Sequence, residues 1–288
     1  MTHRHRHLLF LYLVAAFLIV AGCQPPQQKK SPVCPGKSAA ADALSALSSQ
    51  ARKAVPLKAT GQCLLEYYVE GKKHRENFPI KLWVNPPVEV YLQGEVAFDP
   101  RGLVLGSNES EFWLAVKPDE ISSYWWGLWS EESYNERLMI SPKIVLEALG
   151  IVAPDSSRDS EANWSLSKER SFDVLTKSDD EGRPVKKIYI DTCDYLVRKI
   201  EQLINGTATV VAELRDYKEF APDVFVPAKI KVANVAGANK GDSVAITLQS
   251  IKTAEFSEKL RSRLFIRPDY QGFKHIYRVL GGSIIEQH

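Results

Sequence analysis

The chain has 288 residues, of which 44% are hydrophobic and 25% are charged, values that are ordinary for a globular protein with a sizeable core. It carries 37 basic and 35 acidic side chains, and two of the basic ones, Arg4 and Arg6, lie in a segment that we expect to be removed. The remainder is therefore electrically balanced. A nucleic-acid partner would require Lys and Arg clustered on one face, and we expect none.

The first 22 residues have the pattern of a secretory signal peptide. A basic start at residues 3–7 precedes an apolar run of 13 residues, Leu8–Val20. That run is shorter than the roughly 20 residues of a transmembrane helix. It ends in Val-Ala-Gly-Cys at residues 20–23, which resembles the lipobox of bacterial lipoproteins, where the signal is cut before the cysteine and the cysteine carries the lipid. We expect lipidation at Cys23; the alternative, an uncleaved anchor helix, would also attach the chain to a membrane.

Residues 23–38 are expected to form a flexible tether between this lipid and the folded part. Prolines recur among polar residues there, without apolar periodicity, and the fourteen residues 24–37, if extended at roughly 3.1 Å each, would reach about 40 Å. Gln24, directly after the lipidated cysteine, resembles the class of lipoprotein that is bound to the outer membrane, whereas Asp would favour retention in the inner one. The expected location is the outer membrane, facing the periplasm.

Two helices are predicted in the remaining chain. The first, Ala39–Lys53, has Leu44, Leu47 and Ala51 spaced three and four apart as an apolar stripe. The second, Ser141–Leu149, starts with Ser-Pro and is followed by a glycine, which are typical signals of a helix beginning and end.

Short alternating runs separated by turn residues predict two series of strands. The first series comprises Leu57–Val69, Glu76–Val84, Val88–Leu92, Gly102–Leu105, Glu111–Val116 and Glu120–Trp126. The second series follows a polar loop at residues 154–163. It begins with Trp164–Leu166 and Phe172–Lys177 and ends with Ser243–Ser250. Between these lies an antiparallel meander, Val185–Val232, in which Ala208, Val210, Ala212 and Leu214 share one apolar face. Its turn at Asn205-Gly206 suits a tight hairpin.

Short strings stand out in this order of elements: Lys187–Asp191 with Tyr195–Ile200, Leu214–Tyr217, Phe225–Ile230, and Ile246–Lys252 followed by Phe265–Pro268. With these strings, the chain resembles the outer-membrane lipoprotein carrier and sorting family, called LolA/LolB-like, over about residues 40–270. The resemblance implies a mainly β fold in which a strongly curved antiparallel sheet forms an unclosed half-barrel with two covering helices. Residues 39–288 would be this single domain, and its lumen would accept acyl chains.

Aromatic residues are concentrated in one part of the first strand series. The candidate lipid-binding residues are Phe112, Trp113, Leu114, Tyr124, Trp125, Trp126 and Trp129. Such side chains supply large apolar area and suit the lining of an acyl-chain pocket. The alternative is that they fill the core where the sheet bends.

Three cysteines remain after Cys23 is lipidated, so that at most one pair can close within the chain. A bond between Cys63 and Cys193 is possible because both lie in the folded part, and free buried thiols are the alternative. Cys34 is expected to stay free in the tether.

Nothing in the sequence predicts catalysis. Nucleophile elbows, zinc-binding helices and phosphate-binding glycine loops are not found, and the carboxylates at Asp179, Asp191 and Asp194 sit on predicted turns, where Asp is common for backbone reasons. Outside the expected signal peptide only His74, His275 and His288 remain. We therefore expect no enzyme, no cofactor and no metal site.

The predicted function is that of a membrane-anchored envelope lipoprotein which binds the acyl chains of a lipid or lipoprotein in an apolar cavity, as a carrier or receptor. The alternative is a non-enzymatic sensor or scaffold that uses the same fold to bind an envelope partner protein. An open interior distinguishes the first function from the second, for which a fully packed interior would suffice.

Overall fold

A computed structural model describes residues 34–96, 99–118, 121–131, 142–150, 163–237, 239–269, 271–280 and 283–287. The predicted signal peptide, Cys23, the tether up to residue 33, Ser141 and nearly all of the polar loop at 154–163 lie outside the described residues. Within those ranges, none of the helices has the length and hydrophobicity that a membrane crossing requires.

The described elements are mostly strands. The helices are α1 (Ala40–Arg52), α2 (Pro142–Ala148) and α3 (Glu258–Leu264), with a 3-10 turn at Trp129–Glu131. The first strands are β1 (Leu57–Val69), β2 (Lys72–Asn85), β3 (Glu89–Val96), β4 (Asp99–Ser107), β5 (Glu111–Val116) and β6 (Ser123–Leu128). The others are β7 (Trp164–Glu169), β8 (Phe172–Ser178), β9 (Pro184–Asp191), β10 (Val197–Ile204), β11 (Thr207–Ala221), β12 (Val224–Asn234), β13 (Ser243–Thr253), β14 (His275–Leu280) and β15 (Ser283–Gln287).

All 15 described strands belong to one curved sheet that does not close into a barrel. Its order is β15-β14-β6-β5-β4-β3-β2-β1-β13-β12-β11-β10-β9-β8-β7, so that two meanders meet where β1 pairs with β13. The described pairs are antiparallel except for β14, which joins β6 in parallel. The predicted unclosed half-barrel is confirmed.

The central meander follows the predicted period of two. Val210, Ala212 and Leu214 of β11 are buried on one face, whereas Arg215 is exposed on the other. The hairpin between β10 and β11 turns at Asn205 and Gly206, both with positive φ, at 50° and 75°. Positive φ at both central residues gives the turn a twist that matches the strands, which confirms the predicted hairpin.

The main apolar core lies on the inner face of the sheet. It brings together residues from both meanders with Ile144, Val145, Leu146 and Ala148 of α2 and Leu149 directly after it. Helix α1 packs against the far end of the same face, where Ala43 and Leu47 contact Trp164, Ile188 and Ile190. Ile188 of β9 lies directly opposite Ile200 of β10, which belongs to the main core. The residues under α1 therefore lie on the same inner face of the sheet as the main core. Both predicted helices therefore cover the inner face.

The carboxy-terminal segment differs from the prediction. The sequence indicated only a segment carrying Phe265–Pro268, whereas the structure has α3 followed by β14 and β15. Strand β14 extends the sheet at β6, and Val279 and Ile284 join the inner core from these added strands. Both strands are short and only partly buried, so that the alternation of apolar and polar residues along them is weak in the sequence.

Gly106 allows the outer face to accommodate an indole. It lies directly across from Trp113, and a Cβ at this position would meet the Trp113 ring at 2.4 Å. Because Trp113 is fully buried and cannot move away freely, we expect Gly106→Ala to lower the free energy of unfolding by about 1–3 kcal/mol in urea denaturation. In a variant that already carries Trp113→Leu, Gly106→Ala should lower the free energy of unfolding only slightly. An equal cost in the presence and absence of the tryptophan would contradict the steric explanation.

Candidate functional site

The predicted aromatic lipid-binding residues lie on two different faces of the sheet. Phe112, Leu114 and Trp125 are buried in the inner core, and Trp129 packs against it with its ring centroid 4.8 Å from that of Phe112. Trp113, Tyr124 and Trp126 point to the outer face. This explains why the sequence from Tyr124 to Trp129 is apolar on both sides: each side is covered by different parts of the chain.

The outer aromatic residues are covered by the carboxy-terminal segment. Phe273 lies 5.3 Å from Tyr124 between ring centroids, and the Tyr124 hydroxyl donates a hydrogen bond of 2.8 Å to the Pro268 carbonyl. Burial raises the pKa of Tyr124, which keeps this donor protonated. Arg267 stacks over the Trp126 ring at 4.1 Å. These residues therefore hold the carboxy-terminal segment, which is a structural role.

A cavity of about 200 Å³ lies elsewhere, where α1 and α2 meet the inner face of β9–β12. Its buried wall includes Leu47 of α1, Leu149 after α2, Ile188, Ile200, Val224 and Val226. None of the predicted aromatic residues lines this cavity, and their role as lipid contacts stays a prediction. The cavity is nevertheless in the place that a ligand between helices and sheet would occupy.

One side of the cavity is open to solvent. The exposed lining residues Lys53, Asp194, Asp223 and Phe225 form this rim, and the Phe225 side chain is 42% exposed although it is large and apolar. Tyr217, also in the lining, donates through its hydroxyl to the Val197 carbonyl, and burial raises its pKa so that the proton stays in place. The polar atom of this ring is thus satisfied, and the ring itself offers apolar surface.

A buried ion pair crosses the cavity wall from helix to sheet. Lys186 of β9 pairs through Nζ with Oε1 of Glu147 in α2, and their side chains are only 9% and 7% exposed. Glu147 Oε2 is buried as well and accepts no hydrogen bond from the described residues. One carboxylate oxygen in the cavity wall therefore has no hydrogen-bond donor among the described residues.

The possible bond between Cys63 and Cys193 is wrong, because Cys193 is bonded to Cys34, and the alternative of a free buried thiol holds for Cys63. Cys63 is a free thiol in the inner core, and burial raises its pKa to about 12. Cys34 lies before α1, and Cys193 lies in the turn between β9 and β10, so that the bond joins residues 159 positions apart. The expectation that Cys34 stays free is therefore wrong too: residues from Cys34 onward are fixed to the sheet.

Two hydrogen bonds extend this attachment toward the cavity. The Lys37 backbone N–H donates to Oδ2 of the fully buried Asp173 at 2.6 Å, and Gln50 of α1 donates through Nε2 to the Tyr195 carbonyl at 3.0 Å. We call residues 34–39 the strap. The strap, the disulfide and Gln50 together hold α1 against the sheet at the cavity.

Sequence reasoning missed the cavity residues, although a signal was present. Lys186 alternates with Ile188 and Ile190 and therefore belongs to the apolar face of its strand. Glu147 is three residues after Ile144 and directly before Ala148, so that it falls near the buried face of its helix. A charged residue on each of two apolar faces, with opposite signs, indicates a buried pair.

Comparison with known proteins supports the fold. The sequence matches no protein-family model, and no curated protein matches it by sequence. A LolA superfamily protein from Nitrosomonas europaea is similar in structure with a TM-score of 0.50 and 10% identity, covering 80% of this chain and 99% of that one. A DUF1329 family protein from Desulfovibrio piger gives a TM-score of 0.51 with 9% identity, covering 78% of this chain and 97% of its own.

The class defined by this architecture is an unclosed half-barrel, with one curved sheet and helices over its inner face. More specifically, the chain has the LolA-like fold, as the resemblance in its sequence implied.

Proposed function

We propose that this protein binds an acyl chain of a lipid or lipoprotein in the cavity between α1, α2 and the inner face of the sheet, as a carrier or receptor. The observation that carries the proposal is the position of the cavity, between the covering helices and the inner face of the sheet. Its wall is apolar, and its rim is open to solvent. No chemical step is needed, because burial of hydrocarbon supplies the binding energy.

The size of the cavity limits what binds without rearrangement. An engineered cavity of about 150 Å³ is known to hold benzene. A volume of about 200 Å³ therefore accepts the end of an acyl chain but not the whole of a long one. Each further methylene contributes roughly 0.8 kcal/mol when it leaves water. A few methylenes suffice to displace one apolar side chain of a covering helix, since burying such a side chain is worth about 1.5–3 kcal/mol. We expect long chains to enter by moving α1 or α2.

The proposed location is the bacterial envelope, with the chain anchored through a lipid on Cys23, most simply in the outer membrane facing the periplasm. The lipobox-like residues 20–23 support this, together with the LolA-like fold. In cells fed a labelled fatty acid, the protein should incorporate label at Cys23, and Cys23→Ala should abolish it. Label retained in the variant would contradict lipidation at this residue.

The test of the proposed function is photolabelling of the full chain in phospholipid nanodiscs. The probes are a fatty acid with a diazirine in its chain and the glycerol monoester of the same acid. We expect adducts on peptides that line the cavity, in particular those containing Leu149, Ile200 and Phe225. The proposal fails if neither probe labels these peptides above the level of the remaining chain.

One observation favours the alternative of a scaffold or sensor. A groove of about 780 Å³ lies on the outer face of β8–β11 and is lined by charged residues of both signs, including Arg170, Lys199, Glu213 and Arg215. Such a surface suits a polar partner protein better than an acyl chain. Charge reversal at Arg170 and Arg215 should then weaken capture of an envelope partner and leave photolabelling of the cavity unchanged.

A further inference from the structure

The ion pair between Lys186 and Glu147 in the cavity wall costs free energy that apolar residues at the same positions would not. Removing two charges from water is expensive, and apolar residues of similar volume often stabilise a protein as well or better than a buried ion pair. Lys186 and Glu147 nevertheless face each other between sheet and helix, with side chains more than nine-tenths buried. Both residues line the cavity, so that a ligand bound there lies beside them.

Of the two residues in the ion pair, Glu147 has an oxygen without a hydrogen-bond donor among the described residues. Lys186 neutralises one unit of negative charge through Glu147 Oε1, while Oε2 is buried without a donor among the described residues. A carboxylate has about four acceptor sites, and a buried acceptor that is left without a donor destabilises the protein. The group that would complete the site is therefore a hydrogen-bond donor, and it must not carry a negative charge.

On this basis we propose that the cavity selects a single-chain amphiphile whose head group is uncharged and bears hydroxyls, such as a monoacylglycerol, over the anion of a free fatty acid. A hydroxyl next to the acyl chain would donate to Glu147 Oε2. A fatty-acid carboxylate would instead bring a second negative charge to an oxygen that already lacks a donor. This inference rests on the proposed function, since it concerns the head group of the ligand whose chain occupies the cavity.

The experiment compares the two photoprobes, fatty acid and glycerol monoester, by the concentration that gives half-maximal labelling of the cavity peptides. It uses the full chain in nanodiscs, and the result is the ratio of the two concentrations. Partition into the membrane affects that ratio equally in every variant, so that only its change between variants reports on the site. Wild type should favour the monoester.

Two variants identify the groups responsible. Glu147→Gln leaves the Lys186 ammonium without its anionic partner, and it should shift the ratio toward the fatty acid by about tenfold or more. The double variant Lys186→Met with Glu147→Leu removes the pair without leaving a buried charge, and its ratio should lie between the other two. Circular dichroism establishes that each variant is folded, and the double variant provides the test if Glu147→Gln is not.

The possible outcomes separate the two proposals. Labelling of the cavity by neither probe overturns the proposed function and this inference with it. Labelling by both probes with the same ratio in wild type and the folded variants leaves acyl-chain binding intact but overturns selection by Glu147 and Lys186. A ratio that moves toward the fatty acid when Glu147 is neutralised supports the inference, since a merely structural ion pair would weaken both probes together.

Discussion

Replacing Cys34 and Cys193 by serine together is expected to lower the free energy of unfolding by about 2–5 kcal/mol, because the bond closes a very long loop. The bonded residues are 159 positions apart, and the entropy that a cross-link removes from the unfolded chain grows with the logarithm of loop length. For a chain of this size the thermal midpoint should fall by roughly 5–15 °C. Thermal unfolding followed by circular dichroism measures the shift.

Reducing agent supplies the control for this prediction. Wild type in a reductant should unfold at the midpoint of the double variant, whereas the double variant should not respond to the reductant, since the cysteine left in the described chain, Cys63, is already a free thiol. A wild-type midpoint that is indifferent to reduction and equal to that of the double variant would show that the cross-link does not stabilise the fold. An oxidising envelope is the setting in which such a bond persists.

Most of the sheet could be predicted from the sequence because its strands alternate strongly and end at turn residues. Strands β1 and β5 have the predicted bounds, Leu57–Val69 and Glu111–Val116. The inner face of β11 also follows from its period of two. Long-range pairing is different: nothing local indicates that β14 would join β6 in parallel, since this requires the chain to return across the molecule after β13. The carboxy-terminal strands themselves are hard to predict because they are short and only partly buried.

The candidate site was harder to predict because it depends on the space that two helices leave unfilled against the inner face of the sheet. Clustering in sequence placed Trp113 and Trp125 together, but neighbouring strand residues point to opposite faces, and only contacts show which face is covered by which segment. The disulfide was missed for a similar reason. Proline-rich composition placed Cys34 in the tether, whereas the folded sheet brings it to the turn that holds Cys193.

Ala51→Trp is expected to reduce photolabelling of the cavity by at least about tenfold, because the new ring would occupy the space that the acyl chain needs. Ala51 lines the cavity from α1, on the same helix face as Leu47 and Gln50. An indole is larger than the benzene that fills an engineered cavity of about 150 Å³. Here the cavity measures about 200 Å³, so that little room would remain. Since Ala51 is only half-buried, the helix can accept the larger side chain without losing its packing.

The matched control is Ala41→Trp, at an exposed position of the same helix that does not line the cavity. Both variants carry the same helix-propensity cost of tryptophan, so that a difference between them reports on the cavity alone. Labelling should be lost in Ala51→Trp and kept in Ala41→Trp, with similar thermal midpoints. Equal labelling of the two variants would mean that the acyl chain lies outside this cavity, and the inner aromatic residues Phe112 and Trp125 would then become the next positions to fill or remove.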